Sequence, residues 1–434
     1  MQSLPIDSRP MPQQAPTEIR HDPSVKPRRV AVVVQRYGTE INGGAELHAR
    51  QVALRLAKRH HVTILTSCAL DYTDWAMHYV PGENTVEGLP VRRFAHPPRN
   101  DIGRARVPRP HKLRFKLRRL LDALPGPRVP APRNDAEYDG LNFLRRQGPH
   151  CPDLLLHLAQ SRAEYDIAVF FTALYEPTAL GLPAWGRRSL LVPTLHDEKA
   201  MALPHFRRVF AAAGHVLYNT AAEQRLARGL YGAPAGTIVG LGISVQAPAA
   251  AGRADACARL RLPERYVVYV GRIDTAKGCD ELIAAVLAVY PQTGLPLVLV
   301  GKAFMTLPEH PAILATGFVA DADRDAIVAG AWALIVPSRY ESLSMVLLEA
   351  MALGVPVVAN ARCEVLADHV LDSGAGLLYR SPRELRSTLH RLAVGSAAQR
   401  AAWGRAGAAY VAARYTWDRV MAQYEDAIAR VCGD

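Results

Sequence analysis

The sequence contains few features that stabilise a protein outside an ordinary hydrophobic core. Its six cysteines are scattered and form no CxxC pair, which argues against a zinc site and a disulfide framework and favours a reducing cytoplasm. The longest apolar runs, such as LPLVLVG at 295–301, have the length of a strand and are much shorter than a membrane span. The first residues are polar and proline-rich, without the apolar stretch of a secretory signal, so we expect 1–27 to form a disordered tail.

Acidic residues are fewer than basic ones. The 434 residues include 40 Asp and Glu against 52 Lys and Arg, a formal net charge of +12. This excess indicates an anionic partner. Nucleic acid is not supported, because the sequence has no RNP-type aromatic strand, zinc-finger spacing or basic zipper. Sugar-nucleotide diphosphates and anionic lipid surfaces fit the same charge.

The chain alternates short apolar strands with amphipathic helices in two successive halves. This alternation predicts two doubly wound α/β domains with parallel sheets, at 28–245 and 246–415. The segment 245–255 is rich in Ala, Pro and Gly, and we interpret it as the linker between them. A final helix is expected from Trp417 to Val431. Two such sheets facing one another form a deep cleft, a common place for a ligand.

Two glutamates dominate the segment ESLSMVLLEAMALG at 341–354, which follows the strand WALIVPS. Backbone N–H groups at a helix start can bind a diphosphate. Glu341 in the loop and Glu349 about two turns into the helix can then accept hydrogen bonds from different hydroxyl groups of one ligand, and an acidic residue suits a ribose diol. The alternative is a pair of surface glutamates on an amphipathic helix.

The segment VGRIDTAKG at 270–278 places two cations at the carboxyl end of a predicted strand, the edge where open α/β sheets bind ligands. The guanidinium of Arg272 and the ammonium of Lys277 together suit a diphosphate. The alternative is a solvated basic turn.

Taken together, these segments closely resemble the retaining glycosyltransferases of family 4, of the group 1 type, which have the GT-B fold of two Rossmann-like domains facing a cleft. The resemblance includes the loop GGAE, HVLYNT with Glu223, GRIDTAKG, ESLSMVLLE and the terminal YTWD helix. It implies that 416–434 pack back on the first domain, the acceptor side, and that the second domain binds a nucleotide sugar. Ser344 stands where many relatives have Gly.

The resemblance also implies the roles of individual residues. The residues expected to contact the donor diphosphate are Gly43, Gly44, Arg272, Lys277, Ser344 and Met345. Those expected to contact the donor sugar or ribose are Ser342, Leu343 and Glu349. His196 and Glu341 are expected at the reacting sugar. Asp197 and Glu198, which follow His196, are candidates for this surface or for capping the next helix.

No metal site and no cofactor are expected. The nearest match to the Asp-x-Asp motif of metal-dependent glycosyltransferases is 321–323, which we interpret as a cap cluster before a helix. Arg272 and Lys277 would take the place of the metal. No carboxylate stands out as a covalent nucleophile, so the family resemblance favours attack on the face from which the nucleoside diphosphate departs.

Basic residues crowd between positions 99 and 133, and 112–124 has leucines on one helical face. A basic amphipathic helix can lie on an anionic membrane; the alternative is a helix packed on the first domain with a solvated basic face.

The expected function is transfer of a hexosyl or deoxyhexosyl group from a UDP- or GDP-sugar to a glycan or lipid-linked glycan acceptor. Its setting would be cell-surface polysaccharide synthesis, in the cytoplasm or peripherally on the inner membrane face. The alternatives are a GT-B-fold nucleotide-sugar epimerase and a non-catalytic glycan-binding protein.

Overall fold

The structure is a computed structural model, which describes residues 26–41, 43–98, 135–232, 235–245 and 247–433. The predicted tail at 1–27 therefore lies almost wholly outside the described residues, and the basic segment 112–124 lies entirely outside them. Among the described residues, no helix is both long and apolar enough to cross a membrane.

The first domain is built on an eight-stranded sheet of order β3-β4-β2-β1-β5-β6-β7-β8. Every strand is parallel to its neighbours except β3, which is antiparallel to β4. Its strands are β1 Arg29–Val33, β2 His61–Ser67, β3 Gly82–Val86, β4 Leu89–Phe94, β5 Ile167–Phe171, β6 Ser189–Val192, β7 His215–Tyr218 and β8 Gly236–Ile238. The helices between them are α1 Gly44–Leu56, α2 Asp135–Gln147, α3 Pro152–Gln160, α4 Glu176–Trp185, α5 His205–Ala212 and α6 Ala221–Tyr231.

Helices cover both faces of this sheet, which explains the unbroken apolar runs of its central strands. Along β1, Val30 and Val32 are buried in one apolar cluster, and Ala31 and Val33 in another on the opposite face. A strand buried on both faces has no polar side to alternate with.

The second domain has a six-stranded parallel sheet of order β11-β10-β9-β12-β13-β14. Its strands are β9 Val267–Val270, β10 Leu297–Val300, β11 Ile313–Gly317, β12 Ala333–Val336, β13 Val357–Asn360 and β14 Gly376–Tyr379. Its helices are α7 Ala250–Arg259, α8 Cys279–Thr293, α9 Asp321–Gly330, α10 Met345–Ala352, α11 Glu364–Ser373, α12 Pro382–Val394 and α13 Ala397–Arg414.

The prediction of a linker at 245–255 is wrong in its second half. Residues Ala250–Arg259 form α7, which packs against α9 and buries Ala256. Alanine is the strongest helix former, and the many alanines of this stretch outweigh the single glycine within it.

The last helix, α14 (Trp417–Cys432), returns to the first domain, where it contacts α1, β5, β6 and β7. Its buried residues Val420, Tyr424, Ala427 and Ile428 follow the three- and four-residue spacing of one helical face. The entry to α14 crosses the connection between the domains so closely that a Cβ at Gly242 would lie 2.3 Å from the indole of Trp417. The chain therefore passes twice between the domains at one place.

Candidate active site

The loop between β12 and α10 and the loop after β9 meet at the carboxyl edge of the second sheet. Lys277 Nζ lies 2.8 Å from Glu341 Oε1, with the lysine side chain 34% exposed and the glutamate side chain 17% exposed. This ion pair joins the two motifs that the sequence singled out. The ammonium group of Lys277 can exchange Glu341 for a diphosphate. This exchange would leave the Glu341 carboxylate available to a sugar hydroxyl.

Arg272 is oriented by one acidic and one aromatic neighbour. Its Nε donates a short hydrogen bond to Asp274, and its Cζ lies 5.3 Å from the ring centroid of Tyr72 in the first domain. Asp274 also accepts a hydrogen bond of 2.8 Å from the backbone N–H of Lys277. Asp274 therefore positions both expected diphosphate ligands, a role that sequence reasoning missed although the residue lies inside the motif.

Glu349 lies on α10, beyond the loop. Burial raises the pKa of its carboxyl, and the guanidinium of Arg324 opposes this effect. Its carboxylate has no hydrogen-bond partner among the described residues, so its oxygens are available to the hydroxyl groups of a ligand. This arrangement is compatible with the predicted ribose contact, which remains a prediction.

His196 approaches the same point from the first domain, four residues beyond β6. Burial in the cleft lowers the pKa of its imidazole to about 4; the charge of Glu341 opposes this shift and that of Lys277 adds to it. The three predicted residues His196, Glu341 and Lys277 are thus brought together from two domains. A neutral imidazole can donate a hydrogen bond to a sugar hydroxyl without adding charge.

Glu198, the second residue after His196, does not act as a simple helix cap. Glu198 is at the N-cap position of the short helix Lys199–Ala202, but its side chain makes no capping hydrogen bond. Instead Glu198 Oε1 lies 3.7 Å from His196 Nδ1, and burial raises the pKa of Glu198 to about 7.

Gly43 and Gly44 lie at the start of α1, opposite the start of α10. Gly43 is the N-cap residue, and a Cβ there would lie 2.1 Å from Glu46 Oε2, so any side chain would displace the Glu46 carboxylate. A Cβ at Gly44 would lie 3.8 Å from Met345 Cε in the second domain. The N-termini of two helices, both favourable for anions, therefore border one space.

Contacts from other elements fix the backbone of the loop 342–344. Thr220 Oγ1 donates to the carbonyl of Ser342 at 3.4 Å, and His369 Nε2 donates to the carbonyl of Leu343 at 2.9 Å. Because a carbonyl only accepts, Nε2 carries the proton, and His369 Nδ1 accepts from the Tyr410 hydroxyl at 3.0 Å. His369 is a positioning residue that sequence reasoning missed, since it lies 26 residues from the carbonyl it holds.

Glu223, which the sequence analysis noted only as part of a motif, supports His196. Its buried carboxylate accepts hydrogen bonds from the backbone N–H groups of Leu195 and Asn219. It thereby fixes the chain immediately before His196 to the end of β7. Burial raises the pKa of Glu223 to about 8, against the effect of its backbone hydrogen bonds.

Ser344 is the N-cap residue of α10 and has left-handed backbone angles, φ 65° and ψ 70°. A residue with a Cβ is strained in this region, which explains why glycine suits the position. The Ser344 hydroxyl is buried without a hydrogen-bond partner, so it does not offset the strain.

We therefore expect Ser344→Gly to raise the free energy of unfolding by up to about 1 kcal/mol, because it removes the strain and the unpaired hydroxyl together. Thermal unfolding measures the change. Ser344→Ala is the control, because it removes the hydroxyl and keeps the strain. A glycine variant less stable than the alanine variant would contradict the argument.

Two deeply buried histidines make stability sensitive to acid. Burial lowers the pKa of His369 to about 4 and that of His48 to about 3, whereas the unfolded chain has ordinary values near 6.5. As the pH falls below 6.5, the unfolded state binds protons first, so stability is complete above 6.5 and is lost toward the folded pKa values. Urea unfolding should show a loss of roughly 2 kcal/mol per histidine between pH 7.5 and 5. His369→Gln should remove its own share of this loss, about 2 kcal/mol; an equal loss in both proteins would exclude His369 as a source.

The segment 321–323 lies inside the first turn of α9 and not before it, because the N-cap is Ala320. Asp321 pairs with Arg324 at 2.9 Å, and Asp323 pairs with Arg259. These carboxylates therefore serve ion pairs. Across the described ranges, no group of three or more His, Cys, Asp or Glu side chains is arranged to hold a metal ion.

The chain is similar in sequence to known glycosyltransferases. Residues 264–394 match the family model "Glycosyl transferases group 1". The chain is 33% identical over 250 residues to the D-inositol 3-phosphate glycosyltransferase of Acidothermus cellulolyticus, covering 51% of this chain and 55% of that protein. It is 34% identical over 196 residues to the enzyme of the same name from Kineococcus radiotolerans, covering 39% of this chain and 44% of that protein. The chain thus spans about half the length of the curated relatives it matches.

Solved structures extend the similarity over the whole fold. HepE of Anabaena, in complex with UDP and glucose, superposes with a TM-score of 0.64 at 17% identity, covering 93% of this chain and 99% of that one. An α,α-trehalose-phosphate synthase (UDP-forming) of Burkholderia vietnamiensis gives 0.65 at 14% identity, covering 95% and 99%. The prediction of two Rossmann-like domains in the GT-B arrangement is confirmed. The chain therefore has the GT-B fold, and residues 264–394 are similar to the glycosyltransferases of group 1.

Proposed function

We propose that this protein transfers a hexosyl or deoxyhexosyl group from a UDP- or GDP-sugar to a glycan or lipid-linked glycan, with retention of anomeric configuration. The observation that carries the proposal is the meeting of Lys277 and Glu341 with His196, two from one domain and one from the other. A nucleotide sugar bound along the second domain places its diphosphate at the cations and its sugar between Glu341 and His196.

The charges of the site are compatible with the front-face reaction that the family resemblance implies. The bond between the anomeric carbon and the diphosphate oxygen breaks, and Lys277 and Arg272 stabilise the negative charge that develops on the leaving group. The acceptor oxygen forms its bond on the same face of the sugar, and its proton passes to a phosphate oxygen. Neutral His196 donates a hydrogen bond to the sugar. The transition state is oxocarbenium-like.

Product analysis tests this function against its alternatives. Donors labelled in the sugar, UDP- and GDP-linked, are incubated with the full chain and candidate glycan acceptors. The proposal predicts a labelled glycoside and one released nucleoside diphosphate per transfer. Label recovered only in an isomerised donor would indicate an epimerase, and recovery of unchanged donor with every acceptor would favour a binding protein.

We further propose that no metal takes part, because the two cations occupy the place at the diphosphate that a metal would take. Transfer in excess EDTA is then expected to proceed at the same rate as in untreated enzyme. Loss of transfer with EDTA, and its return with manganese or magnesium, would contradict this.

The relatives named for D-inositol 3-phosphate support an acceptor that carries hydroxyl groups. This chain aligns with only about half of the length of those relatives. A role in cell-surface polysaccharide synthesis and membrane docking through 112–124 remain predictions from the sequence, and that segment lies outside the described residues.

A further inference from the structure

Two buried arginines lie near the carboxyl ends of strands in the first domain, and they differ in their partners. Arg36, 7% exposed, follows β1. Its Nε donates to Glu46 Oε1 at 2.8 Å, and its Nη1 donates to the carbonyl of Leu70 at 2.7 Å. The charge of Arg36 is therefore neutralised inside the protein, as is usual for a buried cation.

Arg93, in β4, is only 3% exposed and has no such partners. Within the part of the chain that the structure describes, its guanidinium makes no ion pair and donates no hydrogen bond, and Nη1 is fully enclosed without an acceptor. The guanidinium lies over the ring of Tyr79, whose centroid is 3.8 Å from Cζ. An aromatic face attracts the charge but accepts few of the five N–H groups of an arginine.

No carboxylate among the described residues contacts the Arg93 guanidinium, although the charge of Glu40 stabilises the cation from a distance. Glu40 is the nearby acid, but its Oε2 accepts from the hydroxyl of Tyr79 at 3.0 Å and from Thr39 at 3.3 Å. The hydroxyl of Tyr37, 1% exposed, is also without a partner. A guanidinium and a phenol are thus both left with unused hydrogen-bond donors.

The position of Arg93 is on the acceptor side. It aligns with Thr66 of β2 at the carboxyl ends of two parallel strands, the edge at which open α/β sheets bind ligands. Tyr79 lies against the loop that leads to α1, since a Cβ at Gly38 would lie 2.4 Å from the Tyr79 hydroxyl. The donor-side cations Arg272 and Lys277 belong to the other domain.

We propose that Arg93 and Tyr37 bind an anionic group, a phosphate or a carboxylate, carried by the acceptor; this inference rests on the proposed glycosyl transfer. The guanidinium presents two parallel N–H groups to two oxygens of such an anion. The anion supplies a counter-charge in direct contact with the guanidinium, which the described residues do not. Without it, the buried cation costs stability, a cost that functional sites tolerate.

Stability of the ligand-free protein is the first test. Arg93→Met keeps the approximate volume and removes a buried cation that has no anion in contact, so its melting temperature in anion-poor buffer should equal or exceed that of the wild type. Arg36→Met, which breaks a satisfied pair and leaves Glu46 alone, should lower the melting temperature by several degrees. A comparable fall for Arg93→Met would show that the guanidinium stabilises the fold and would overturn the proposal.

Anion binding is the second test, with inorganic phosphate and acetate as probes in calorimetry at constant ionic strength. Lys277→Ala removes the donor-side cation and should keep phosphate binding at Arg93. Adding Arg93→Met should weaken that binding at least tenfold, and adding Arg93→Lys instead should weaken it less because the charge remains. The stronger of the two probes identifies the class of anion.

Unchanged phosphate and acetate affinity on adding Arg93→Met would overturn the acceptor subsite. Failure of the donor site is a separate result, because it would appear as unchanged nucleoside diphosphate affinity in Lys277→Ala.

Discussion

Replacement of Lys277 by alanine is expected to weaken nucleoside diphosphate binding about 10- to 100-fold, because a hydrogen bond to a charged group contributes about 1.5–3 kcal/mol. The turnover should fall further, by about 10²-fold or more, since the same ammonium stabilises the charge that develops on the leaving diphosphate. The half-exposed ion pair with Glu341 itself contributes little to folding, so the variant should remain folded.

Calorimetry with UDP and GDP measures the first effect, and steady-state kinetics measures the second. Arg259→Ala is the matched control, because Arg259 also pairs with a carboxylate of the second domain, Asp323, but lies on α7, outside the two motifs at 270–278 and 341–354. It should bind the nucleotide as the wild type does. Equal affinity in wild type and Lys277→Ala would refute the assignment of this lysine to the diphosphate. Glu349→Ala should also weaken binding, through the ribose, whereas its turnover at saturating donor should change less.

Replacement of His196 by phenylalanine is expected to lower kcat about 10²-fold with little change in donor KM. The ring volume is kept, while the hydrogen bond from the neutral imidazole to the sugar is lost where it strengthens in the transition state. The pKa of about 4 implies that the imidazole is already neutral near pH 7, so the loss cannot come from a charge change. His390→Phe, on the exposed face of α12, is the control. A fall in donor affinity without a fall in kcat would show that His196 binds substrate in the ground state only.

The local sequence pattern was sufficient to predict the fold and to locate the two loops that meet at the second sheet. Strands such as β9 and β12 are apolar runs that end where the motifs begin, so the positions of Arg272 and Glu341 at one sheet edge followed from the parallel topology. The extent of α7 could not be predicted from this pattern, because an Ala-rich segment is equally typical of a linker and of a helix.

The supporting contacts could not be predicted, because they join residues that are distant in sequence. His369 holds the carbonyl of Leu343, and Tyr72 lies against Arg272 across 200 positions of the chain. The left-handed angles of Ser344 were not predicted either, although the glycine of many relatives at this position is a signal of such a conformation.

The central claim is that the donor lies along the second domain with its sugar beneath His196, and a structure of the full chain with a bound nucleotide sugar tests it most directly. A thermal-shift screen of UDP and GDP selects the nucleotide, since the one that binds raises the melting temperature. The account predicts the diphosphate within hydrogen-bond distance of Lys277 and Arg272, the ribose on Glu349 and the sugar between Glu341 and His196. A donor whose diphosphate contacts neither cation, or whose sugar points away from His196, would contradict it.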